Sequence, residues 1–121
     1  MGIDLSRFVG AGVFFVAIFL SGYWLSRSEK PYNVVILTIH KLIAVAAFVL
    51  LAVIMIQSNR RATLGTIELA AGVITGLFFL SLIVTGGLLS SEGQMPAVVS
   101  MLHKIAPYLT LISSAITLYL L

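Results

Sequence analysis

Cysteine is absent from this chain. That excludes disulfides, thiolate metal sites, iron–sulfur clusters and covalent C-type haem attachment, and it says nothing about the redox compartment. Charge is scarce: 9% of the 121 residues are Asp, Glu, Lys or Arg, against about 25% in an ordinary soluble domain. The acidic residues are Asp4, Glu29, Glu68 and Glu92, and each stands at the edge of an apolar run. No carboxylate lies in the middle of a run, and Glu68 stands at the mouth of the third. Small multidrug antiporters, which depend on a membrane-embedded glutamate, are therefore a poor match. The net charge of +3 comes from scattered residues, with no basic tract of the kind that binds nucleic acid.

What remains is hydrocarbon. The chain is 60% hydrophobic, with a mean hydropathy of +1.17. Four apolar runs, 8–26, 34–56, 67–89 and 97–121, approach or exceed the roughly 20 residues needed to span a bilayer. No A-x-A-like site follows the first run, so it is expected to be a retained helix and not a cleaved signal peptide. Pro31 and Pro96 sit just before the second and fourth runs, where a missing N–H costs little. The links between runs are short, so successive helices are expected to be antiparallel neighbours. The expected fold is an all-α membrane protein, a four-transmembrane-helix up-down bundle forming a single domain over 1–121.

The bundle is written twice. Gly12-Val13-Phe14-Phe15 and Ser21-Gly22 in the first run are answered by Gly76-Leu77-Phe78-Phe79 and Thr85-Gly86 in the third, at a constant offset of 64. The two histidines of the chain, His40 and His103, are each followed by lysine, Lys41 and Lys104, at an offset of 63. The internal repeat covers 1–60 and 64–121. A two-helix unit returns the chain to its starting side, so the copies are parallel-repeat helical hairpins, expected to be related by a pseudo-twofold axis along the membrane normal. His40 lies seven residues after Asn33 and His103 seven after Pro96. At about 1.5 Å per residue, both are roughly 10 Å from the same surface.

Ionisable side chains inside a membrane-length apolar run are costly, which makes such a pair a functional candidate. Two imidazoles are too few for an ordinary four-coordinate zinc site. Porphyrin iron, in contrast, takes two axial imidazoles on opposite faces, and four-helix bundles commonly build cofactor sites from facing helices. Gly22 and Gly86 lie on the histidine side, where a missing side chain gives room for a macrocycle edge or for close helix packing. Lys41 and Lys104 are placed either to pair with haem propionates or to snorkel to lipid phosphates. Ligand histidines usually donate their second N–H to an acceptor. Ser21 and Thr85 are matched hydroxyls at suitable depth, although such a hydroxyl ordinarily bonds its own helix backbone. Pro107, four residues after His103, removes the helix partner of the His103 carbonyl and predicts a kink. Met101 lies on another face of its helix from His103 and is discounted as a ligand.

With the repeat, the histidine pair and the glycines in view, the chain resembles the four-helix membrane cytochromes b, including the di-haem cytochrome b group and its superoxide-oxidising members. Those proteins usually carry two histidine pairs. The resemblance therefore implies one haem b here, with His40 and His103 as iron ligands, and Lys41, Lys104, Gly22 and Gly86 around it. It implies electron transfer with a quinone or a redox partner protein. A membrane oxidoreductase role is open, but bis-histidine iron has no vacant position for substrate. The competing reading is a small transporter, channel or accessory subunit with a histidine and lysine proton or ion site and no haem. Self-association of the chain is compatible with either.

The expected location is a prokaryotic cytoplasmic membrane. Arg7, Arg60 and Arg61 flank one face, while Arg27 and Lys30 flank the other. That favours both termini in the cytoplasm, and counting Lys41 and Lys104 reverses the balance.

Overall fold

A computed structural model describes residues 5–28, 32–91 and 95–121. The chain forms four helices: α1 (Leu5–Arg27), α2 (Val34–Arg61), α3 (Thr66–Ser90) and α4 (Ala97–Leu120). No strand occurs among the described residues. α1, α2 and α3 are each long and apolar enough to cross a membrane. The protein is thus an all-α integral membrane protein. α4 matches them in length, at 24 residues, but is less apolar, because His103, Lys104, Pro107 and a run of hydroxyls interrupt it.

Each helix end has a physical cause. Asn33 starts α2: its Oδ1 accepts the backbone N–H of Val35 at 2.9 Å and of Ile36 at 3.2 Å, an Asn cap on donors that have no helical partner. α2 does not stop where its apolar run stops. It continues through Gln57, Ser58 and Asn59 to Arg60 and Arg61, whose charges suit the negative end of the helix dipole. At 28 residues it is about 42 Å long, so its C-terminal end projects beyond a hydrocarbon core of about 30 Å. Asn59 Oδ1 then accepts the Leu64 N–H at 3.2 Å across the link. α3 opens at Gly65 with Glu68 in its first turn, an anion at the positive end of the dipole. α4 follows Pro96 directly. Pro31 lies outside the described residues.

Two compact units divide the chain, Met1–Ala47 and Phe48–Leu121, with the boundary inside α2. The first holds α1 and the start of α2, with Phe15 and Leu25 buried. The second holds the rest of α2 with α3 and α4. Here Phe48 meets Phe79 edge-on, with ring centroids 5.9 Å apart. About two turns further along, Met55 lies over Gly72, where its sulfur and terminal methyl fill the space a Cβ would take. Phe15 and Phe79, matched in the repeat, are both buried, at 6% and 3% exposure.

α3 and α4 pack antiparallel. Thr85 meets His103 near the linking end, and Thr75 meets Ser113 and Thr117 deeper in. Thr75 is the hub of this second contact. It is fully buried, bonds the Ala71 carbonyl at 2.8 Å, and meets the Thr117 hydroxyl at 2.9 Å. In hydrocarbon, helices gain nothing by hiding apolar surface from each other, so such polar contacts help to set the pairing. Thr75→Val keeps the shape and deletes the hydroxyl. It is expected to destabilise the α3–α4 pair by about 1–2 kcal/mol, seen as a lower thermal midpoint in detergent. An unchanged midpoint would show that packing alone sets the pair.

Candidate functional site

His40 is the seventh residue of α2, and His103 is the seventh residue of α4. Both are half-buried. Each unit surrounds its histidine in the same way, and each can be built up separately.

In the first unit the His40 Nδ1 lies 2.8 Å from Ser21 Oγ. The same hydroxyl lies 2.8 Å from the Ala17 carbonyl and 3.1 Å from the Ile18 carbonyl. A hydroxyl has one proton, and a carbonyl accepts only. Ser21 therefore donates into its own helix and accepts from the imidazole, so Nδ1 carries the hydrogen. In the second unit Thr85 Oγ1 lies 2.8 Å from His103 Nδ1, 2.7 Å from the Ser81 carbonyl and 3.3 Å from the Leu82 carbonyl. The same counting puts a hydrogen on Nδ1 there too. In a neutral imidazole with Nδ1 protonated, the ring's lone pair is on Nε2. Both histidines are thus set in the tautomer that ligates through Nε2, and held there by a hydroxyl fixed to its own helix.

The glycines explain how the rings come so near. A Cβ placed on Gly22 would stand 3.1 Å from His40 Cε1, and one on Gly86 would stand 3.0 Å from His103 Cε1. The absent side chain is the space that each imidazole fills. The close approach is thus from glycine backbone to histidine ring within each hairpin. Gly22→Ala and Gly86→Ala push directly on the ring and are expected to strain the hydroxyl bond. The measurable result is a shifted histidine ring resonance in nuclear magnetic resonance, with the helix content unaltered in circular dichroism. A spectrum unchanged in both would show that the ring has slack.

Lys41 and Lys104 are exposed, among the exposed apolar side chains Ile39, Leu42 and Val45 on α2 and Leu102, Ile105 and Tyr108 on α4. Met101 is also exposed. The hydroxyls of Ser21 and Thr85 do both things open to them, bonding their own helices and accepting from histidine. The hydroxyl face of α4 was not anticipated from sequence. Thr110, Ser114 and Thr117 stand at intervals of four and three, and all are buried. That helical spacing was a legible signal. The matched positions on α2, Ala47, Leu51 and Ile54, are buried hydrocarbon.

Among the described residues, no group of three or more His, Cys, Asp or Glu side chains gathers to hold an ion. What the chain offers is single imidazoles with a defined donor nitrogen. A porphyrin iron needs only two of these, since the macrocycle supplies the other four ligands. Comparison with protein-family models, with characterised proteins and with solved structures finds no match for this chain.

Proposed function

We propose that this chain is a b-type cytochrome of the membrane, holding one haem b through His40 and His103 and exchanging electrons with a quinone or a redox partner protein. The observation that carries the reading is the duplicated half-site: a glycine, a hydroxyl and an imidazole Nδ1, repeated with both nitrogen–oxygen distances at 2.8 Å. Lone imidazoles in an apolar segment have no need of such matched orientation. An axial ligand does, because a fixed tautomer and ring plane raise its basicity and its affinity. When bound, the haem supplies reversible one-electron chemistry. The chain supplies the two nitrogens, their orientation and an apolar surrounding. The cytochrome sits in a prokaryotic cytoplasmic membrane, with both termini in the cytoplasm.

Electron paramagnetic resonance of the oxidised, purified protein tests the ligand set. Two imidazoles predict a low-spin ferric signal. A high-spin ferric signal would mean an open axial position and would contradict bis-histidine ligation.

A further inference from the structure

The linking end of the first hairpin carries a second feature that the histidine site does not use. Tyr23, Trp24 and Arg27 lie in the last two turns of α1, and Lys41 lies two turns into α2. Helix α1 ends and α2 begins on one side of the link, so these four residues belong to one face of the membrane and to one unit. All four are exposed, Tyr23 at 63% and Trp24 at 61%. The Arg27 guanidinium stands over the Tyr23 ring, 5.6 Å from its centroid. Such a contact holds the cation against the ring face without using its N–H groups, which stay available to an acceptor. Lys41 leaves α2 between exposed apolar neighbours. Its ammonium cannot stay in hydrocarbon, so its stem must carry it to the head-group level. Among the described residues neither cation meets a carboxylate. Glu29 and Lys30, in the link, lie outside those residues.

We propose that this end of the hairpin is a binding site for an acidic phospholipid head group, with Arg27 and Lys41 taking the phosphate and Tyr23 and Trp24 fixing the depth. Arginine matches the phosphate fork with two parallel hydrogen bonds, and lysine adds a point charge. Two cations that meet no carboxylate among the described residues favour a lipid of net negative charge over a zwitterionic one, whose phosphate is already balanced by its own amine. Aromatic rings of this kind settle at the interface.

The second hairpin provides an internal control. At the matched positions it has Gly87, Leu88 and Ser91 in place of Tyr23, Trp24 and Arg27, and keeps only Lys104. The site is therefore single, and it belongs to the first hairpin. It assigns Lys41 to lipid and not to a haem propionate.

The chain has one tryptophan, and it lies in the site. The full-length protein is placed in bilayers of phosphatidylcholine containing graded amounts of brominated phosphatidylglycerol or brominated phosphatidylcholine. Quenching of Trp24 is read relative to the same protein in unbrominated lipid, so that constant quenching within the chain cancels. The expected result is preferential quenching by the acidic lipid, corresponding to about a fivefold preference for each engaged charge. Arg27→Gln with Lys41→Gln abolishes the preference, and Lys104→Gln leaves it in place. Equal quenching by the two lipids in the unaltered protein overturns the proposal, as does a preference that survives the double substitution or is lost with Lys104. The readout does not depend on haem, so either proposal can fail while the other stands.

Discussion

Replacing either histidine with alanine is expected to strip the chain of haem. Bis-histidine ligation is a two-point attachment. With one imidazole gone, the iron keeps one protein ligand, and the macrocycle is left with apolar contacts alone. Loss of an outer partner of a ligand typically costs about 10–100-fold in affinity, and loss of the ligand itself exceeds that. His40→Ala and His103→Ala should therefore each purify with roughly a tenth or less of the normal haem content. Because the half-sites are equivalent, the two variants should suffer alike. A folding defect is separated from a ligation defect by adding imidazole. The small ligand enters the space left by the side chain and restores a low-spin spectrum if the helices are intact. Full haem retention in either variant would remove that histidine from the ligand set.

The second large effect concerns the hydroxyls. Ser21→Ala and Thr85→Val delete the acceptor of each Nδ1–H while keeping most of the side-chain volume. The imidazole then loses its fixed tautomer and part of its basicity, and affinity for haem is expected to fall about 10–100-fold. The reduction potential shifts as well. A more basic ligand favours ferric over ferrous iron, so removing the acceptor should move the midpoint to more positive values in both variants. A purely structural role for the hydroxyls would lower haem content without moving the midpoint of the haem that remains. Redox titration of each variant checks this, and unchanged midpoints in both would deny the hydroxyls any influence on the metal.

These effects rest on features that differ in how openly the sequence displays them. The number of helices and their places follow from long apolar runs divided by polar links, a signal that water-free surroundings make strong, since a spanning segment must satisfy its backbone internally. Helix ends were less legible. The apolar run of α2 stops at Ile56, but the helix continues to Arg61, because Gln57, Ser58 and Asn59 are polar without being helix breakers. Hydropathy marks where hydrocarbon ends and not where a helix ends.

The half-sites were legible in part. The offset of histidines, glycines and hydroxyls in the repeat singles out residues that meet within each hairpin, since position is harder to reproduce by chance than leucine content. Two choices were not decided by sequence. Gly22 and Gly86 each leave space, and spacing alone does not say for what; the ring carbons that a Cβ there would meet at 3.1 and 3.0 Å identify the histidine of the same hairpin. Ser21 and Thr85 each have a helix carbonyl and an imidazole within reach, and only the positions of both partners show that one hydroxyl serves the two. The buried hydroxyls of α4 were passed over for a related reason. Threonine and serine bonded to their own helix look neutral in a hydropathy sum, yet Thr75, Thr110 and Thr117 are fully buried.

The central claim is that one haem b is shared by two histidines of one chain. The most direct measurement is the haem-to-protein ratio of the purified full-length chain from haem-replete cells, by pyridine haemochrome assay against quantitative amino-acid analysis. One haem b shared by two histidines gives a ratio of about one, with a Soret band and sharp α and β bands on reduction. A colourless protein would contradict it, and so would a stoichiometry of two.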